Sequence, residues 1–517
     1  MRRGPLAAHA VPVNNGVMPS LRPFAPRGRR AVAAVAVAAV CLAAAAKAPI
    51  FAEADARTLA ESRCRLDAPR LPAVLAFCSE LVVPEDRTRP DGPELELFVA
   101  RVPALAAVPK PDPLVLIAGG PGQSAVDLYL QMRRAFEPVR IERDIVLLDQ
   151  RGTGRSAEGF ACELTEAAAF DTSAVEELHD AIYRCLEELD RDPRFFSTEP
   201  AVADLDALRE ALGVERWNLY GISYGTRVAQ RYAARFPDRV RAMILDGVVP
   251  VSMPLGPAIA SDAQAALEGI FARCAAEPAC AERYPELPER FDGLRLRLMQ
   301  GPVSIEVANP RTGKLETRLF SSSDLAGVVR LMSYSSPTAS LLPLAIDDAY
   351  EGDYTLLAAQ VDILTSDLAA AISMPMHNSV VCTEDVPFYP SVGVHEDTYL
   401  GTSVVDALEA ICEIWPATPA DADVKRPLEF GGPVLLLSGE LDPVTPPRYA
   451  AQVMAAGLAN AKHVIVGGQG HGMAGIGCAP RLIARFVETA SVDAVDASCL
   501  VREPPVPFFL SATGPAP

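Results

Sequence analysis

RWNLYGISYGTRVAQRYAARF, residues 216–236, decides how the rest of the chain is read. RWNLYG is a short apolar run of strand character, and TRVAQRYAARF has the spacing of an amphipathic helix. A strand that passes at once into a helix needs a sharp turn, and Gly221 and Gly225 on either side of Ser223 permit one that lifts the serine above a sheet. Taken alone, GISYG fits an ordinary Gly/Ser turn. Its place between a buried strand and an amphipathic helix predicts instead an elbow that presents Ser223 as a nucleophile.

Working outward, LELFVARV (95–102), PLVLIAGG (113–120) and DIVLLDQRG (144–152) precede that segment and RAMILDG (241–247) follows it. All four read as strands, and the continuous apolar runs in PLVLIAGG and DIVLLDQRG suit strands buried on both faces of a parallel sheet. Between them lie an acidic, helix-periodic region (163–190) and the helical VADLDALREALG (202–213), so strands alternate with helices. The expected fold class is α/β, a doubly wound, mostly parallel sheet. From residue 249 to 427 the pattern turns mainly helical, with many prolines and short breaks. The buried-strand pattern then returns in GPVLLLSGELDP (432–443) and KHVIVGGQGHG (462–472). The expected organisation is a leader (1–55), the first part of the core (56–248), an inserted helical cap (249–427) and the last part of the core (428–517).

Composition bounds the function. The chain has 517 residues, half of them hydrophobic, a formal charge of −19 and a pI near 4.9. It can build a large core, and its acidity argues against a nucleic-acid partner, which needs a surplus of Lys and Arg. Arg22, Arg27, Arg29 and Arg30 precede the uncharged, Ala-rich stretch 31–46, which is the layout of a cleavable signal peptide. That run is short for a membrane span of about 20 residues. Export without stable membrane insertion is expected, to a periplasm or the medium, with Met18 as an alternative start. Eleven cysteines occur, and removing the leader with Cys41 leaves ten: Cys64, Cys78, Cys162, Cys185, Cys274, Cys280, Cys382, Cys412, Cys478 and Cys499. An even count in an exported chain reads as a disulfide framework. Pairing of sequence neighbours is the simplest of many connectivities, each loop adding roughly 2–4 kcal/mol. The zinc alternative lacks CxxC pairs and suitably spaced histidines, so no metal and no cofactor is expected.

A serine hydroxyl needs a base to take its proton, and histidine is the usual one. Of six histidines, His9 falls in the leader, His179 in an acidic helical segment, His395 on a polar loop and His463 at the start of a strand. His377 lies in the cap near MPMHNS and is a second possibility. His471, on the Gly-rich loop after the last strand, is the candidate base. Asp442 in SGELDPVTP ends the penultimate strand and supplies the orienting carboxylate in the order serine, acid, histidine, with Glu440 as the fallback. Two backbone donors are needed for the oxyanion: the amide of Tyr224, after the nucleophile, and that of Gly120 in GGPGQS (119–124).

Together GGPGQS, DQRGTGRS (149–156), GISYGT (221–226), GELDPVTPP (439–447) and GQGHG (468–472) resemble, in order, the secreted prolyl and tripeptidyl aminopeptidases of the α/β-hydrolase fold. The resemblance covers about residues 60 to 500, and from GELDP to Cys499 it is to the tripeptidyl aminopeptidase-like C-terminal region with its closing cysteine pair. It implies Ser223, Asp442 and His471 as the triad, with Gly120 and Tyr224 as the oxyanion hole. Prolyl aminopeptidases typically carry His where this chain has Ala118 and Trp where it has Tyr224, departures that point away from strict proline specificity. An exopeptidase of this kind also needs cap carboxylates for the substrate's α-amino group, and Glu384 and Asp385 are the candidates. Asp149 and Arg151 are read as loop supports. The reading is an exported aminopeptidase acting on peptides through an acyl-enzyme. The alternatives are an esterase or amidase of small acyl substrates on the same triad, and a catalytically idle binding protein.

Overall fold

A computed structural model describes residues 59–515 except 70, 163–174, 310–311 and 391–396. The leader with Cys41 and Met18, His9 and His395 lie outside the described residues. Strands β1 (Ser62–Leu66), β2 (Val74–Pro84), β3 (Glu94–Val102), β4 (Leu114–Ile117) and β5 (Ile145–Leu148) come first. Helix α1 (Ala125–Arg140) joins β4 to β5. Then follow α2 (Val175–Glu188), α3 (Thr198–Ala211), β6 (Trp217–Ile222), α4 (Tyr224–Arg235) and β7 (Val240–Asp246).

Between β7 and the next strand of the sheet the chain makes α5 (Ile259–Ala276), α6 (Pro278–Arg283), α7 (Leu287–Met299) and the hairpin β8 (Val303–Ala308) with β9 (Leu315–Phe320). It continues through α8 (Ser322–Met332), α9 (Ser336–Ala339), α10 (Leu342–Tyr350), α11 (Thr355–Ala371), α12 (Met374–Glu384) and α13 (Ser403–Ile414). The sheet resumes with β10 (Val434–Gly439), α14 (Pro447–Gly457) and β11 (Ala461–Val466), and the chain closes with α15 (Ala479–Thr489) and α16 (Ser498–Val501).

The large sheet runs β1-β2-β3-β5-β4-β6-β7-β10-β11. From β5 to β11 neighbouring strands are parallel, whereas β1, β2 and β3 add an antiparallel edge. LVLI in β4 and IVLL in β5 are buried at every residue, as the interior of a sheet covered on both faces requires. β2 alternates instead, with Leu81 and Val83 inward and Glu80 and Val82 outward, so its pattern lacks the continuous apolar run of a parallel core strand.

Successive residues of a strand serve opposite cores. Tyr220 and Leu435 pack with α1 and α15 on one face, and Leu219 and Leu436 pack with α3, α4 and α14 on the other. A third apolar cluster, built around Leu267, Leu294, Val329, Ile346 and Leu357, lies within the helices inserted between the paired strands β7 and β10. The five disulfides join sequence neighbours: Cys64 to Cys78, Cys162 to Cys185, Cys274 to Cys280, Cys382 to Cys412, and Cys478 to Cys499. No helix among the described residues is long and apolar enough to cross a membrane.

Candidate active site

The loops at the C-terminal ends of β4, β6, β7, β10 and β11 meet along one edge of the sheet, where ligands bind in open α/β folds. Ser223 leaves β6 with φ 55 and ψ −126, a conformation that a non-glycine residue adopts only under constraint. The constraint is visible. The Ser223 amide donates to the Asp246 carbonyl at 2.9 Å, and its carbonyl accepts from the Thr226 amide and hydroxyl at 2.9 and 2.6 Å. Both glycines of the turn are needed for close approach, since a Cβ on Gly221 would run into the Gly225 carbonyl and one on Gly225 into the Ile117 carbonyl.

His471 sits on the loop after β11. Its Nδ1 lies 2.8 Å from Asp442 Oδ2 and 3.1 Å from the Thr445 hydroxyl, so Nε2 is the nitrogen left for other partners. Asp442, in the loop after β10, is buried and fixed by the Val444 and Thr445 amides on Oδ1 and the Thr445 hydroxyl on Oδ2. Glu440 takes a different part: its Oε2 accepts from the Gly468 amide at 2.9 Å and braces the histidine loop.

Burial opposes the charge on the imidazole, but the neighbouring Asp442 carboxylate outweighs it, and the His471 pKa stands above the ordinary 6.5. Burial likewise tends to raise the Asp442 carboxyl, but His471 and the two amides hold it below its usual range. The two directions agree, since each charge of the pair stabilises the other.

GGPGQS lies against the serine: a Cβ on Gly119 would stand 3.0 Å from that of Ser223. Gly120 has φ 103, which only glycine adopts freely, and a Cβ there would crowd the Gly122 amide at 2.7 Å. Ser124 caps α1 and donates to Asp149, whose carboxylate also takes the Val126 and Arg155 amides. Arg151 is buried in a two-point pair with Asp204. Both residues hold loops in place, as the sequence indicates.

Glu384 and Asp385 require a correction. The sequence offers them for a substrate's α-amino group, whereas both are buried and committed inside the protein. Glu384 accepts from the Thr198 amide and hydroxyl at 2.6 and 2.7 Å. Asp385 takes Arg227, Lys425 and the Leu255 amide. His377 bonds Asn378 at 3.3 Å, and His463 bonds Ser438 at 3.0 Å within the sheet.

Three contributors escaped the sequence. Thr445 shares its hydroxyl with both members of the pair. Asp246 gathers the Met473 and Ala474 amides and the Tyr220 hydroxyl, fixing the chain after His471. Tyr334, from the inserted helices, accepts the His471 amide on its carbonyl at 2.7 Å and sets its ring edge-on to the imidazole at 5.5 Å. Only Asp246, at the end of a strand read correctly, carried a signal. Among the described residues no group of three or more His, Cys, Asp or Glu is placed to hold a metal ion.

Residues 112–275 match the family model described as alpha/beta hydrolase fold, and 397–499 match the one described as TAP-like protein. The chain belongs to the α/β-hydrolase family. The serine protease Hip1 of Mycobacterium tuberculosis is 34% identical over 224 residues, 40% of this chain and 42% of Hip1, so the alignment spans less than half of that relative. Carboxylesterase B of the same organism is 29% identical over 405 residues, 72% of this chain and 76% of that protein. A Streptomyces coelicolor protein named "Probable proline iminopeptidase" is 36% identical over 140 residues, 27% of this chain and 34% of that one. The relatives of this α/β hydrolase thus include proteins named as a serine protease, a carboxylesterase and a proline iminopeptidase.

Proposed function

We propose that the chain is an exported serine aminopeptidase that releases one or a few N-terminal residues through an acyl-enzyme on Ser223. The observation that carries the peptidase reading is the TAP-like match over 397–499, the segment that contains the hydrogen-bonded Asp442 and His471. His471 Nε2 takes the Ser223 proton as the serine attacks the carbonyl carbon, and Asp442 stabilises the imidazolium that results. The amides of Gly120 and Tyr224 receive the oxyanion. Collapse of the tetrahedral adduct expels the amine, which takes the proton from His471. Water activated by the same base then hydrolyses the ester. Five disulfides fit an oxidising compartment and support export.

A second reading, an esterase or amidase of small acyl groups, is favoured by two observations. The alignment to carboxylesterase B covers most of both chains, and the two acids assigned to the substrate amine are occupied internally. Aminoacyl and tripeptidyl chromogenic substrates set against short acyl esters separate the readings. The peptidase reading expects preference for substrates with a free α-amine and loss of turnover on N-acetylation. Faster turnover of acyl esters, indifferent to that amine, overturns it. Ser223→Ala lowers turnover by about 10⁴–10⁶ on either reading, and near-normal activity would sink the mechanism.

A further inference from the structure

We infer that helix α12 (Met374–Glu384) sets both oxyanion donors, and that Glu384 and Thr198 act as positioning residues on Tyr224 through its phenol; this rests on the serine-hydrolase mechanism proposed above. The two ends of this one helix reach the two halves of the site. At its start, the Ser373 amide donates to the Gly122 carbonyl at 3.0 Å, and Ile372 pairs with Gln123 as an antiparallel bridge. The glycine loop lies directly on that backbone, because a Cβ on Gly122 would stand 2.5 Å from the Ser373 carbonyl and one on Gly120 would meet Ile372 Cδ1 at 3.3 Å. The Gly120 donor is therefore seated on the residues that open α12.

At the other end, Glu384 receives the Thr198 hydroxyl at 2.7 Å, and that hydroxyl lies 2.7 Å from the Tyr224 phenol oxygen. With its single proton given to the carboxylate, Thr198 accepts from the phenol, so the chain runs Tyr224 to Thr198 to Glu384. One residue on, Asp385 binds Arg227, one turn along the helix that Tyr224 begins. Tyr224, Thr198, Arg227, Glu384 and Asp385 are all buried, where polar groups hold fixed geometry and a missing partner is costly. The helix between the two ends is itself anchored by the Cys382–Cys412 disulfide and by the Trp415 indole on the Ser379 hydroxyl at 3.0 Å. A helix from the inserted segment thus fixes the spacing between two amides that belong to the sheet's own loops, and the acids assigned by sequence to substrate binding serve the oxyanion instead.

The test uses Thr198→Val and Tyr224→Phe, which remove hydroxyls without removing either amide, and the double variant. Each is compared on kcat, KM, affinity for a substrate-derived peptide aldehyde and affinity for the product acid. Each single variant is expected to lose about tenfold in kcat and in aldehyde affinity, a fraction of the 10²–10³ attached to a lost oxyanion donor, with KM and product affinity within twofold. The double variant is expected to be no worse than either single one, and Thr198→Ser to recover most of the loss. Unchanged aldehyde affinity, a parallel loss for aldehyde and product, or additive losses overturn the inference. A variant that melts early is judged by Thr198→Ser alone, whose failure to retain aldehyde affinity also overturns it. Fluorophosphonate labelling of the unmodified protein at Ser223 separates the two levels: absence of labelling defeats the triad mechanism, whereas normal labelling with unaffected variants defeats only the role of α12.

Discussion

Nδ1 of His471 meets Asp442 Oδ2 at 2.8 Å, while the Arg330 guanidinium, which binds the Tyr334 hydroxyl at 3.0 Å, acts on the same imidazole with the opposite sign. Asp442 and, behind it, Asp246 raise the histidine pKa; burial and Arg330 lower it, and the carboxylates prevail. A general base works only when neutral, so kcat/KM falls as pH drops through this pKa, and the midpoint of the acid limb is expected above 6.5. Removing the opposing cation by Arg330→Gln should move the midpoint further up. A limb below 6.5, or a downward shift in the variant, contradicts the assignment. Asp442→Asn keeps the shape but not the charge, and kcat should fall by about 10⁴ as the imidazole loses its orienting carboxylate. A loss under tenfold would transfer that role to another acid. Glu440 is the residue that sequence alone left open, and in the structure it binds the Gly468 amide while Asp442 meets the imidazole.

The GQGHG loop shows what an element's sequence conveys and what it omits. Its glycines announce a tight connection after β11, but the reason for Gly470 lies in another part of the chain. A Cβ there would run into the Tyr334 carbonyl, the same oxygen that accepts the His471 amide at 2.7 Å. Gly470→Ala should therefore displace the base and lower kcat by about 10², the scale of a misplacement near 1 Å, while overpacking costs about 1–3 kcal/mol of stability. Steady-state kinetics beside a melting curve checks both, and an unchanged kcat would show that the contact with Tyr334 yields freely. The parallel strands were legible because burial on both faces leaves an uninterrupted apolar run, as in LVLI and IVLL. Strands β1 and β2 and the hairpin of β8 and β9 were not, because an edge or half-exposed strand mixes polar residues into the run, as SELVV does in β2. Glu384 and Asp385 were misread for a related reason. A pair of acids in sequence looks the same whether it faces a pocket or is buried against Arg227 and Lys425.

At the scale of the whole molecule, the ten cysteines outside the leader admitted many pairings by sequence, and the structure joins only neighbours. Each bridge then closes a local loop, and its contribution grows slowly with the length enclosed. Cys382–Cys412 encloses 30 residues and ties α12 to α13, whereas Cys274–Cys280 encloses 6 within the inserted helices. Loop-closure entropy assigns roughly 3.6 kcal/mol to the first and roughly 2.2 kcal/mol to the second. The double variant Cys382→Ser with Cys412→Ser should therefore melt lower than Cys274→Ser with Cys280→Ser. The two also differ in position. The first bridge anchors the helix that reaches Gly122 and Tyr224, so its loss should reduce kcat at temperatures well below melting, whereas loss of the second should leave kcat intact until unfolding. Kinetics measured 20 °C or so below each variant's own transition removes stability from the comparison. Equal kcat in the two variants there would mean that the bridge stabilises the fold without bearing on the site, and a reversed order of melting would show that strain or local contacts outweigh loop closure.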